Sequence, residues 1–167
     1  MALRYRLAQL AAALKAQVTP EERALLAQLL NPEELRLFER MAQFDQRHCL
    51  DVYHTLVKGN HTDPHLLRAA LLHDCGKVAD DGRPIPLLYY GLFVVLMRLA
   101  PAVYRWAAAS GRGVLWPFAV HAVHEQRSAL LASRAGSAPE VVRILNDYAQ
   151  QIHSPSTAAL QWADALN

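Results

Sequence analysis

A chain of 167 residues with 53% apolar and 19% charged side chains has the material for one buried core, which excludes a disordered polymer. Its 17 basic and 15 acidic residues leave a formal charge of +2, too balanced for a nucleic-acid binder that works through a concentrated basic surface. Two cysteines, Cys49 and Cys75, cannot build a disulfide framework, and no cleavable leader is recognisable, so a reduced, cytoplasmic protein is expected.

Helix signals dominate from the start. Leu3, Leu7, Leu10 and Leu14 recur at three- and four-residue spacing and predict an amphipathic first helix. Thr19-Pro20-Glu21-Glu22 combines a cap, a proline at the first helical position and a glutamate three residues after the cap. Asn31-Pro32-Glu33-Glu34 repeats that start, and the helix it opens is expected to run through Phe38, Met41, Phe44 and His48 towards Val57, where Lys58-Gly59-Asn60 stops it. Asp63-Pro64 starts the next helix, which leads through Leu66, Leu67, Ala70 and Leu71 into His73-Asp74-Cys75-Gly76-Lys77. Gly76 is expected to end that helix in the left-handed conformation.

Asp80 to Pro86 reads as a polar turn, and an apolar segment follows from Leu87 to Met97. The 14 uncharged residues between Arg83 and Arg98 fall short of the roughly 18 needed to cross a bilayer. A buried core helix is therefore expected there. The alternatives are a membrane-surface contact or a homo-oligomer contact within residues 87–106, through Tyr89, Phe93, Leu96 and Trp106. Ser110 to Gly113 is a loop, and three further helices are predicted near Pro117 to Ala135, Pro139 to Ile152 and Pro155 to Leu166. Nothing alternates as a strand would. The fold class is all-α, a compact multi-helix bundle forming one domain over 1–167, with a helical extension over 1–40 packed on a 41–167 core.

The chemistry is concentrated in His48, the pair His73-Asp74, and Asp164. Adjacent side chains on a helix diverge by about 100°, so His73 and Asp74 can face one ion only where their helix is ending. Ligands from three helices can meet inside a bundle. A mixed nitrogen and oxygen donor set suits Mn, Fe, Ni, Co or Zn better than Ca or a thiolate-seeking ion.

The segments Asp45-Gln46-Arg47-His48-Cys49-Leu50-Asp51-Val52, Leu66 to Lys77 with its His73-Asp74-Cys75-Gly76-Lys77 core, and Leu160 to Asn167 resemble the HD-domain metal-dependent phosphohydrolase superfamily, whose pattern is H…HD…D with the HD pair often followed by x-G-K. The resemblance spans about Met41 to Asn167. It implies His48, His73, Asp74 and Asp164 as ligands of one divalent transition metal. A looser likeness runs from His124-Glu125-Gln126-Arg127-Ser128 to Gly136, where Glu125 and Ser128 replace the usual proline and glycine. Two-metal members of the superfamily complete a second site with extra histidines in this region. Here Tyr148 stands where the further histidine is expected and His153 is displaced from it, so one metal is favoured, with His121, His153 and Asp51 as candidates for a second ion or for support of the first.

The implied activity is hydrolysis of a phosphomonoester, nucleotide or phosphodiester. The partner is then a phosphorylated small molecule, and no nucleic acid is expected. Lys77, one of three lysines in the chain, is the first candidate for a phosphate contact, Arg47 the second, and His124 a substrate or water contact. His54, His61 and His65 read as satisfied or surface histidines, and Cys75 as core. The competing readings are an HD scaffold that senses a phosphorylated ligand without turnover, and a helical interaction protein whose histidines are incidental.

Overall fold

The computed structural model of the chain describes residues 17–167, so the helix expected over Leu3 to Leu14 lies outside the described residues. Among them are ten α-helices and no strand. They are α1 (Pro20–Leu29), α2 (Pro32–Arg40), α3 (Gln43–Lys58), α4 (Pro64–Leu72), α5 (Leu88–Leu99), α6 (Pro101–Ser110), α7 (Trp116–Ala122), α8 (His124–Arg134), α9 (Pro139–Ala149) and α10 (Pro155–Leu166), with short 3₁₀ turns at Cys75–Lys77 and Gly113–Leu115.

The start signals act through their caps. Thr19 and Glu22 form a reciprocal capping box on α1, Asn31 and Glu34 on α2, and Ser154 and Thr157 on α10. The second box also joins distant parts of the chain. Buried Glu34 accepts the Ser137 hydroxyl at 2.6 Å, and the Asn31 amide donates to the Ala135 carbonyl at 3.1 Å, tying the head of α2 to the α8–α9 turn.

Most helices pack on one core. Helices α3, α4, α9 and α10 supply Leu50, Leu56, Leu71, Leu72, Ile144 and Leu160, all essentially fully buried. Each such side chain stabilises the fold by about 1.5–3 kcal/mol. Leu26, Leu30 and Phe38 belong to the same cluster, so residues 20–40 share the core with the rest. A second, smaller cluster of Ile85, Phe93, Ala107 and Phe118 joins α5, α6 and α7.

The structure differs from the sequence-based expectations in four places. The long helix expected from Asn31 to Val57 is two helices, broken at Met41, whose backbone is extended. The Gln46 amide donates to the carbonyls of Glu39 and Met41 at 3.1 and 2.9 Å, satisfying groups that the end of α2 leaves bare. The helix expected over Pro117 to Ala135 is likewise broken, at Val123, so His121 and His124 sit on different helices. Residues 87–97 do not form a buried core helix, because Leu88, Leu92, Val94, Val95 and Met97 are exposed and Phe93 alone is buried.

Gly76 is the fourth difference. It lies within a 3₁₀ turn and is not left-handed. Its need for glycine is steric, since a Cβ there would sit 2.0 Å from the His124 carbonyl oxygen and 2.7 Å from the Ser128 nitrogen. Both obstacles are backbone and cannot swing aside. Gly76→Ala is expected to cost about 3 kcal/mol or more, the upper end for overpacking, read as a lowered urea midpoint at unchanged slope. A midpoint equal to that of the parent would contradict the close approach.

Candidate metal centre

Helix α3 carries His48 on the side that faces α10, the end of α4 carries His73, the following turn carries Asp74, and α10 carries Asp164. The helix does end where the adjacent pair requires it. His73 caps the end of α4 with its backbone still helical (φ −60°, ψ −26°), and Asp74 has already left the helix (φ −104°, ψ 1°). The four side chains come together. His48 Nε2 is 2.9 Å from Asp164 Oδ1 and 3.8 Å from Asp74 Oδ2, and His73 Nε2 is 3.7 Å from each of these oxygens.

His73 is the most informative member. Its Nδ1–H donates to the Ala70 carbonyl at 2.8 Å, which turns Nε2 to the cage and gives it a lone pair whenever the ring is neutral. That nitrogen is buried and makes no hydrogen bond. A buried, unpartnered imidazole nitrogen is costly in a protein interior unless something fills its lone pair. Ligands of one ion with bonds of about 2.1 Å stand about 3 to 3.5 Å apart, close to the separations found here. The donor set of two imidazoles and two carboxylates thus fits a divalent transition ion. His48, His73 and Asp164 form one group with metal-ligand spacing and Cys49, His73 and Asp74 another, and Lys77 donates to Asp74 Oδ2 at 2.5 Å.

Fixed partners hold this cage. The Tyr148 hydroxyl donates to Asp164 Oδ2 at 2.7 Å, leaving Oδ1 to face the histidines. Lys77 lies between Asp74 and the buried carboxylate of Asp45, its ammonium 5.1 Å from the Tyr90 ring centre. Tyr90 in turn donates to Asp45 at 3.0 Å. Loss of the Tyr148 hydroxyl should loosen Asp164, and Tyr148→Phe is expected to weaken metal affinity about tenfold with little loss of stability, as titration calorimetry would read. Unchanged affinity would show that Asp164 needs no such support.

Electrostatics favour a cation. Burial opposes the charge on Asp74, but Lys77, His73 and His48 hold its carboxyl well below the usual carboxylate range. Burial is likewise outweighed at Asp164, where the hydrogen bond from His48 and the nearby His73 imidazole hold it low. At His73, burial favours the neutral ring, yet the adjacent Asp74 lifts the imidazole well above its ordinary value. Burial pushes Asp45 up to about 6, even with Lys77 beside it.

The remaining candidates are placed variously. His124 is at the edge of the cage, its Nε2 3.5 Å from Asp74 Oδ1 and its Nδ1 donating to the His121 carbonyl at 2.6 Å. Burial lowers its pKa, so a neutral ring with a free Nε2 lone pair faces the site. The His121 ring stacks on it at 5.1 Å, with Nδ1 accepting from the Tyr104 hydroxyl at 2.6 Å, and burial pulls its pKa down to about 4. His153 is exposed in the loop before α10 and does not join the cluster. Among the described residues neither His121 nor His153 enters a group with metal-ligand spacing.

Arg47 and Asp51 are elsewhere. Arg47 pairs with Glu22 of α1 at 2.8 Å and with Asp51 at 2.9 Å, and His54 shares Glu22 at 3.2 Å, so Arg47 and His54 fasten α1 to α3 through Glu22. Arg47, expected at a substrate, lies about 100° round α3 from His48 and faces Glu22, and Asp51, expected to orient His48, pairs with Arg47. Lys77, expected at a phosphate, has its ammonium paired with two carboxylates, Asp74 and Asp45. Cys75 is core, with its thiol against the Ser128 carbonyl and burial pushing it up to about 12.

Sequence reasoning missed Asp45 and Tyr90, and marked Tyr148 only as standing where a further histidine is expected, not as the partner of Asp164. Asp45 had a signal, being three residues before His48 and so on the same face of α3. Tyr90 had none, since it arrives from a helix remote in sequence. Glu125 was noted as a departure from a motif only. In the fold it opens α8, half-buried, and burial with the charges of Asp74 and Asp164 raises its pKa.

Comparison of the chain with protein-family models, curated proteins and solved structures finds no match. No helix among the described residues is long and apolar enough to cross a membrane.

Proposed function

We propose that this chain is a divalent-metal-dependent phosphohydrolase of the HD type, acting on a phosphomonoester, nucleotide or phosphodiester. The observation that carries the reading is the bare, buried Nε2 of His73 directed at His48, Asp74 and Asp164. Those four residues would hold the ion. Such an ion, when bound, supplies Lewis acidity at a phosphoryl oxygen and lowers the pKa of water.

The chain's own residues do the rest. Tyr148 holds Asp164 by Oδ2 and leaves Oδ1 to the cage, whereas Lys77 holds Asp74 by Oδ2, the oxygen nearest the two histidines, and would share it with the ion. His124, neutral and with a free Nε2 at the rim, is placed to accept a proton. Glu125, next in sequence and with its carboxyl raised by burial, would return one to a leaving oxygen.

The test is to assay purified protein against nucleotides, phosphomonoesters and phosphodiesters with Mn²⁺, Ni²⁺, Co²⁺ or Mg²⁺. Turnover that chelator removes and metal restores is expected, and no turnover on any of them would overturn the enzyme reading. One observation favours a second reading. Both basic residues expected at a phosphate, Lys77 and Arg47, are held in ion pairs. That suits a module that binds metal and a phosphorylated ligand without turnover, which ligand-induced thermal stabilisation with no product would reveal.

A further inference from the structure

Between Asp81 and Glu125 the chain carries four arginines (Arg83, Arg98, Arg105 and Arg112) and no acidic residue. The same stretch forms the α5–α6 hairpin, whose inner side holds Phe93 and Ala107 in the small core. The outer side is apolar. Leu88, Leu92, Val95 and Leu99 follow one another along one stripe of α5, with Leu88 86% and Leu99 77% exposed. Helix α6 adds Val103 and Trp106, the latter 64% exposed. These side chains protrude and do not line a groove, so they suit insertion better than the capture of a partner helix. The three arginines beyond Arg83 are exposed and make no ion pair among the described residues, whereas Arg83 is paired with Asp81.

We propose that the α5–α6 hairpin docks the protein in the plane of an anionic membrane surface, with Leu88, Leu92, Leu99 and Trp106 entering the headgroup–acyl boundary and Arg98, Arg105 and Arg112 meeting lipid phosphates. Protruding aliphatic and indole side chains flanked by cations are the chemistry of an interfacial helix, and arginine stems lie along apolar surface while their heads reach out. Charge decides between a membrane and a second copy of the chain. A two-fold contact would set this acid-free, arginine-bearing face against itself, placing like charges together, whereas anionic lipid complements them. The hairpin also reaches the cage, since Tyr90 of α5 bonds Asp45 and Tyr104 of α6 bonds His121. Docking depends on no metal and is separable from the hydrolase reading.

The experiment is sedimentation of the full chain with vesicles of phosphatidylcholine alone and of phosphatidylcholine with phosphatidylglycerol in equal parts. Three arginines predict partitioning on the order of a hundredfold higher on the anionic vesicles at low salt, falling as salt is added. Leu88→Glu with Leu99→Glu, both on the exposed stripe, should abolish binding at unchanged helicity. Arg98→Gln with Arg105→Gln should lower it roughly thirtyfold on anionic vesicles only. As a measurement on the unaltered apolar face, brominated lipid should quench tryptophan emission in the parent and not in Trp106→Phe. No binding to the anionic vesicles, or binding unchanged by the leucine pair, would overturn the proposal. So would a dimer in analytical ultracentrifugation that the leucine pair dissociates, which would assign the face to a second copy.

Discussion

Asp74→Ala is expected to abolish metal-dependent turnover, a loss on the order of a thousandfold or more, because the several kcal/mol that a bound cation contributes to the transition state goes with it. The same substitution leaves Lys77 buried with Asp45 as its remaining carboxylate partner. Breaking a buried pair in this way costs about 3–5 kcal/mol, so the variant should also unfold at lower temperature. Asp164→Asn separates the two effects. Asp164 is one-third exposed, and asparagine keeps a hydrogen-bond acceptor for Tyr148 while removing the charge. It should lose metal and turnover with a much smaller loss of stability. Turnover retained in both variants would show that hydrolysis, if present, does not use this cage.

Removal of metal should destabilise the protein in a pH-dependent way. At a hundred times its dissociation constant a bound ion contributes about 2.7 kcal/mol, and for a chain of this size that corresponds to a shift of about 5–10 °C in Tm. The sign with pH follows from His73. Its folded pKa is raised, so its pairing with Asp74 stabilises the metal-free protein fully below the unfolded value near 6.5 and is lost as pH rises through the folded value. The ion needs the neutral ring and competes with that proton. Holo and apo melting temperatures should therefore lie close together at about pH 6 and diverge as pH rises towards 9. At the acid end the depressed carboxyls of Asp74 and Asp164 act oppositely. Their contribution is present above their unfolded value near 3.8 and is lost as pH falls below it. Scanning fluorimetry across this range checks both, and a holo–apo gap independent of pH would contradict displacement of the His73 proton.

Much of the frame was legible because helix starts are written locally. Thr19-Pro20, Asn31-Pro32, Asp63-Pro64 and Ser154-Pro155 each open a helix at the expected residue, since cap and proline act within one turn. Helix ends without glycine or proline were not legible. The break at Met41 rests on Gln46 reaching back to the carbonyls of α2, and the break at Val123 on His124 bonding the His121 carbonyl. Both are side-chain choices that periodicity does not carry. Exposure of α5 was hidden for a related reason. An apolar run reads as core, and only the placement of α6 and α7 on its Phe93 side determines that its Leu92 side stays bare.

At the candidate site the convergence of His48, His73, Asp74 and Asp164 was anticipated by position, while the network around them was not. Lys77 illustrates the difference. One turn beyond the pair it reads as a phosphate contact, but burial places it where two carboxylates need a counter-charge. Arg47 is adjacent to His48 in sequence, but the roughly 100° between them on the helix turns it to Glu22.

Anomalous scattering from a crystal of the cobalt-loaded protein tests the central claim most directly. One peak is expected bounded by the Nε2 atoms of His48 and His73 and by carboxylate oxygens of Asp74 and Asp164. Cobalt found only at surface histidines such as His153, with the space beside His73 Nε2 empty or holding water, would contradict it.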